Sequence, residues 1–259
     1  MYSLHFIRQL PHLCARHLGG TPSEHDIGFR ETGYSFMASS DEGAAILAAN
    51  IARQNALGAT WIEALSPTQL HEVFPWCKHD DILLASRSTQ GEGIFDPWRL
   101  ISVLKSLCKV AGVEFVQGEV TDVTSVTTSD HRAEVRAVHI TGSDSPTTVP
   151  CDVMVNAAGP HAAAIMAPLN IDLPVRARKR HVFSFKCGAA HPPPTTTPLT
   201  VDPSGVYFRP ELAQATFIAG VSPPVGLKKR LETEDYSISI SVGRRCLERF
   251  GSSPLAPSP

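Results

Sequence analysis

The chain is 259 residues long, 42% hydrophobic and 19% charged, a globular composition that excludes collagen, coiled coil and long disordered tracts. Lys+Arg 23 against Asp+Glu 25 leave a net charge of −2, so no cationic excess exists to neutralise a phosphate backbone, and nucleic-acid binding is excluded as the main role. No apolar run reaches the ~18–20 residues that span a bilayer, and Met1 to Leu10 show neither a signal-peptide core nor a transit-peptide pattern.

Taken in chain order, the first segment carries His12, Cys14 and His17 on a short amphipathic stretch. It lacks an organising carboxylate, so it reads as a helix surface and not as a zinc site. Glu31–Ala38 alternates Tyr34 and Phe36 and reads as a strand. Asp41 is the expected cap of a helix carrying Ile46, Leu47, Ile51 and Leu57, which Gly58 stops. A short strand is expected at Thr60–Glu63, and Ser66-Pro67 opens a second helix. Asp96 and Pro97 are the cap and first residue of a longer helix with Leu100, Ile101, Leu104, Leu107, Cys108 and Ala111 on one face. Beyond Gly112, strands are expected at Val113–Val116, Glu119–Val126, Arg132–Ile140 and Thr148–Asn156. The last of these ends in the small-residue turn Asn156–Pro160 ahead of another helix.

Five of the 21 prolines precede residue 145 and 16 follow it, and after residue 170 the helices thin out. Arg176–Cys187, Gly205–Arg209 and Thr216–Gly220 read as antiparallel strands between proline loops, giving one α/β region intertwined with one mostly β region. Ser252–Pro259 is low-complexity. The six cysteines, Cys14, Cys77, Cys108, Cys151, Cys187 and Cys246, form no CxxC and read as reduced thiols in apolar settings.

Three places can carry chemistry. Ala157, Ala158 and Gly159 would let a ligand approach the backbone at the end of a strand, although a plain tight turn has the same residues. Arg176, Arg178 and Arg180 would share one face of a strand, as an anion site or a solvated edge. Tyr207 and Arg209 would share a strand face and could fix a carboxylate, or form a structural pair. There is no GxGxxG: Gly91-Glu92-Gly93 leads into a helix cap. No hydrolytic nucleophile stands out.

Gly93–Pro97 with its helix, Gly118–Val123 and Val153–Gly159 resemble the FAD-dependent amine and D-amino-acid oxidase superfamily, the group of sarcosine oxidase, glycine oxidase and dimethylglycine dehydrogenase. Phe74–Trp76, Gln117–Val120, Arg178–Val182 and Ser204–Glu211 extend the resemblance over roughly residues 30–222. It implies an α/β plus α+β fold: a partial FAD-binding Rossmann-like domain with an intertwined antiparallel-sheet substrate domain. The implied division is 1–90 as helices and strands of the substrate and FAD domains, 91–170 as the FAD-binding part, 171–225 as the substrate sheet, and 226–259 as an atypical, poorly ordered tail.

The resemblance implies FAD as cofactor, with Val120 meeting the adenine through its backbone and Ala157, Ala158 and Gly159 lying against the ribityl–pyrophosphate. Tyr207 and Arg209 become candidates for a small amino-acid-like substrate. The implied chemistry is hydride removal from a C–H beside an amine nitrogen to flavin N5, giving an imine that hydrolyses. Where the family usually has Ala-Trp-Ser after this turn, Pro160, His161 and Ala162 stand here. The missing glycine fingerprint and C-terminal glycine-rich segment lead to the expectation that this is the central part of a longer flavoprotein. A mitochondrial setting, peripheral to the inner membrane, is also implied. A role in assembling respiratory complex I with little or no catalysis, or a fragment unable to hold FAD, are the alternative readings.

Overall fold

The structure, a computed structural model, describes residues 2–129, 133–142, 146–177, 180–187, 194–211, 216–221 and 249. Its elements run α1 (Tyr2–Leu18), β1 (Tyr34–Ala38), α2 (Asp41–Ala56), β2 (Ile62–Leu65), α3 (Pro67–Val73), β3 (Leu84–Ser88) and α4 (Pro97–Val110). They continue with β4 (Glu119–Thr127), β5 (Ala133–Thr141), β6 (Thr147–Pro150), α5 (Ala162–Met166), β7 (Val182–Lys186), β8 (Leu199–Val201), β9 (Val206–Pro210) and β10 (Thr216–Val221). The chain forms two units, one of Met1–Ala111 with Arg180–Pro259 and one of Gly112–Lys179.

The first unit is built on a seven-stranded sheet in the order β2-β3-β1-β8-β9-β10-β7. Every pair is antiparallel except β1 with β8. Pairing registers give the two faces. Ser35 stands opposite Arg87 and Thr200, and Thr200 opposite Phe208, which itself faces Ala219. These residues share one face, and Tyr34, Phe36, Ser86, Tyr207 and Arg209 lie on the other, because side chains alternate along a strand. The first face carries the core: Met37, Leu65 and Ala85 cluster with Leu70 and Phe74, while Phe208, Phe217, Val206 and Cys187 form a second cluster. Trp76 joins them edge-to-face, its ring 6.1 Å from that of Phe208.

Helix starts follow local chemistry. Ser66 and Gln69 form a capping box at α3, and the Asp96 carboxylate accepts from the N–H groups of Trp98 and Arg99 at α4, satisfying donors that the helix itself leaves open. At α2 the cap is Ser40, whose Oγ accepts from Gly43 N–H at 3.2 Å, and not the expected Asp41. Asp41 is the first helical residue, where its charge faces the positive end of the helix dipole. The segment holding His12, Cys14 and His17 is a helix, but it is not simply a surface: Leu10 and Cys14 are fully buried and cluster with Ile27 and residues of α4.

The second unit is the antiparallel ribbon β4-β5-β6 with α5. Here two expected strands are corrected. Val113–Val116 enters no ladder, and the strand expected over Thr148–Asn156 is confined to β6, ending at Pro150. Val113, Phe115 and Val116 are about half exposed and Val153 and Val155 are more than three-quarters exposed. Alternating apolar residues create a strand only where a neighbour supplies hydrogen-bonding partners, and among the described residues none does.

Arg176 does not lie on a strand either. It pairs with Asp172 at 3.4 Å and donates to Leu173 O and Val175 O, and Arg180 precedes β7, so these two arginines do not share the expected strand face. Arg178 and Lys179, Cys246 and the tail 226–259 apart from Arg249 lie outside the described residues. β3 and β8 are strands the sequence pattern did not reveal. Among the described residues no helix is long and apolar enough to cross a membrane.

Candidate functional site

In the second unit, Val120 lies in β4 opposite Ile140, and the ladder slips between Val120 and Asp122, a bulge that leaves Thr121 out of register. The turn after residue 155 is held by one side chain. Asn156 Nδ2 donates to Ala162 O at 2.9 Å while its Oδ1 accepts from Ala158 N–H at 3.2 Å. Asn156 is therefore the organiser of the Ala157–Gly159 segment, a role visible in sequence only as an Asx residue ahead of small residues. Gly159 has φ +54°, and nothing stands within 4 Å of where its Cβ would be, so the backbone is open to close approach by a ligand. The helix that follows is shorter than the sequence leads one to expect: a 3-10 turn at Gly159–His161 precedes the five residues of α5. So short a helix adds little dipole field, and what the turn offers an anion is backbone and space.

In the first unit, Tyr207 and Arg209 project from β9 on one face, as their alternation predicts. Tyr207 stands opposite Gly220 of β10. A Cβ at position 220 would come within 2.6 Å of Tyr207 Cζ and closer still to its hydroxyl. The phenol thus lies flat across β10 in a trough that only glycine provides. Arg209 is 22% exposed and pairs with Glu211 Oε1 at 2.8 Å, and it also donates to Pro210 O at 3.0 Å. Its charge is internally compensated, so an incoming carboxylate has to compete with Glu211. Farther along this face, α2 covers β1–β3 over a cleft of about 450 Å³ lined by Tyr34, Phe36, Asn50, Arg53 and Ser86. The Tyr34 and Phe36 rings are stacked with centroids 6.3 Å apart.

A third polar cluster escaped the sequence pattern. The Arg249 guanidinium donates to Asp81 through Nη1 at 2.6 Å and Nη2 at 2.9 Å, to Lys78 O at 2.9 Å, and through Nε to Asp202. Lys78 N–H returns a bond to Arg249 O at 2.7 Å. The cluster joins residues more than 100 positions apart, and no local spacing signals that.

Residues 3–252 match the family described as FAD dependent oxidoreductase. The chain belongs to this family. It is 34% identical over 219 residues to the FAD-dependent oxidoreductase domain-containing protein 1 of Bos taurus, covering 76% of this chain and 44% of the relative. The Xenopus laevis protein of the same name is 33% identical over 245 residues, covering 86% of this chain and 48% of the relative. The chain therefore spans about half the length of these relatives. The fold is similar to that of glycine oxidase from Geobacillus kaustophilus, with a TM-score of 0.72 at 18% identity over 98% of this chain and 64% of that one. FAD is the cofactor of the family. The α/β plus α+β class, with a partial nucleotide-binding part and an antiparallel substrate sheet, is the fold observed.

Proposed function

We propose that the protein oxidises a C–N bond of a small amino compound in an FAD-dependent reaction. The observation that carries this reading is that Tyr207 and Arg209 stand partly exposed on one sheet face of a chain whose family uses FAD. Bound FAD supplies the acceptor for a hydride from the C–H beside the amine nitrogen. Val120, Ala157, Ala158 and Gly159 would hold the cofactor. The open turn that Asn156 fixes favours this role, since a pyrophosphate needs backbone approach without an intervening side chain. On the substrate side, Arg209 would bind the carboxylate when it displaces Glu211, and the Tyr207 hydroxyl would add a hydrogen bond. Together they would orient the reacting C–H.

The test is FAD titration of the 259-residue chain, followed by anaerobic mixing with a panel of N-substituted and free α-amino acids. Bleaching of the oxidised-flavin absorbance is expected, and Arg209→Met should raise the substrate concentration needed by at least about tenfold. A protein that binds no FAD, or whose bound flavin no amino compound reduces although dithionite does, would overturn the reading.

Compensation of Arg209 by Glu211 favours a second reading, motivated by the resemblance: a mitochondrial protein that supports complex I assembly with little catalysis. Tagged protein would then co-purify with complex I intermediates, and unchanged complex I in cells lacking it would exclude the role.

A further inference from the structure

The face of the seven-stranded sheet that bears Phe208 opens beside Phe74 into a second cleft, of about 900 Å³. Its described lining includes Arg87, Phe74, Trp76, Thr32, Thr197 and Glu72. It lies on the opposite side of the sheet from Tyr207 and Arg209, because Arg87 shares its face with Ser35, Thr200 and Phe208.

Arg87 is the one cation among the described residues that line this cleft. Its guanidinium carbon stands 5.9 Å from the centroid of the Phe74 ring. That ring holds the flat ion by its face and leaves the in-plane N–H donors directed elsewhere. Among the described residues no carboxylate pairs with it. Glu63, its cross-strand neighbour on β2, is exposed and forms no ion pair among the described residues. Glu31 also lines the cleft but is engaged by Arg8, with Arg8 Nε donating at 2.6 Å and Gly91 N–H at 3.2 Å. Glu72 sits exposed on α3 at the rim.

The hydroxyls point the same way. Thr197 is 2% exposed and its Oγ1 has no hydrogen-bond partner among the described residues, and Thr32 Oγ1 is likewise buried without one among them. A buried hydroxyl left unpaired costs about 1–3 kcal/mol, a cost that a ligand able to bond it would relieve. A half-buried guanidinium, two unpaired hydroxyls and the Phe74 and Trp76 rings lining one open cleft match a ligand with an anionic head of carboxylate geometry and a flat apolar body.

We infer that this cleft is a binding site for a monocarboxylate with an aromatic or apolar body. Arg87 takes the carboxylate bidentately, Thr197 and Thr32 donate to it, and Trp76 covers the body. The site is separate from the flavin-dependent reading and stands whether or not that reading holds.

The test is isothermal titration calorimetry of the whole chain, free of FAD, with three probes of one shape: hydrocinnamate, its neutral amide and phenethylamine. Hydrocinnamate should bind, and at least about tenfold more tightly than either of the others, as expected of guanidinium–carboxylate pairing in a half-buried site. Arg87→Met should weaken it by a similar factor and Thr197→Val by a few-fold. Arg87→Lys should recover only part, because an ammonium lacks the fork geometry. Tyr207→Phe should leave hydrocinnamate binding unchanged, which separates this cleft from the other face. Absence of hydrocinnamate binding, equal binding of the amide, preference for the amine, or loss in Tyr207→Phe with retention in Arg87→Met would each overturn the assignment. The probe series needs no variant, so misfolding of Arg87→Met would not shield the proposal.

Discussion

Position 220 shows how one missing Cβ sets the place of a functional candidate. Tyr207 can cross β10 only because Gly220 leaves room. In Gly220→Ala the ring, as the free end of a rotatable side chain, should swing away while the backbone holds. We expect a stability change below about 1.5 kcal/mol by denaturant unfolding. The Tyr207 ring resonances should move clearly in a tyrosine-labelled spectrum, which is tractable with four tyrosines in the chain. An unmoved ring would show that the trough does not position it. Cys77 is a second case set by surroundings. Burial pushes its thiol up to about 12, so it stays protonated and unreactive at neutral pH. A disulfide exchange reagent should label Cys108 and Cys151, which are partly exposed, well before Cys77, as peptide mass mapping would reveal.

Elements in this chain are fixed partly by their own ends and partly by distant residues. α3 and α4 carry their starting signals locally, in Ser66-Pro67 and Asp96-Pro97. Arg249 has no such signal and is held by Asp81, Asp202 and Lys78 O. The hydrogen bonds from Arg249 hold the Asp81 carboxyl below its ordinary range. A carboxyl lowered in the folded state stabilises fully above its unfolded value of about 3.9, and the contribution is lost as pH falls through the lower folded value. The tether should therefore be insensitive from about pH 5 to 8 and weaken below about pH 4. Asp81→Asn should flatten that acid limb of a stability–pH profile. Arg249→Ala should cost more than Asp81→Asn, because Asp202 is 8% exposed and its charge would lose its partner in a poorly hydrated place.

At the scale of the whole molecule, the first unit depends on the core face of its sheet. Phe208 is 1% exposed and meets Trp76 across that face. Phe208→Ala should lower unfolding stability by about 3–5 kcal/mol, and a loss under about 1 kcal/mol in equilibrium denaturation would mean that this cluster is not the centre of the core. The second unit differs in kind. It is built on a three-stranded ribbon and also carries the exposed valines of residues 113–116 and 153–155.

Much of this was readable in the chain itself. Capping residues and proline starts marked α3 and α4, alternation marked β1, β4, β5, β9 and β10, and the order of short motifs gave the family. The shared face of Tyr207 and Arg209 followed from strand geometry alone. Tertiary structure decided the rest. Among the described residues it left Val113–Val116 and Val153–Asn156 out of any ladder, since pairing depends on a neighbour that no residue pattern contains. It made strands of Leu84–Ser88 and of the three residues Leu199–Val201, the latter too short to carry a period. It set Glu211 against Arg209, gathered Asp81, Asp202 and Arg249, and placed Arg87 over Phe74 in a cleft. Local propensity and alternation act between near neighbours and survive in sequence, whereas charge compensation and cavities arise among residues brought together only when the chain folds.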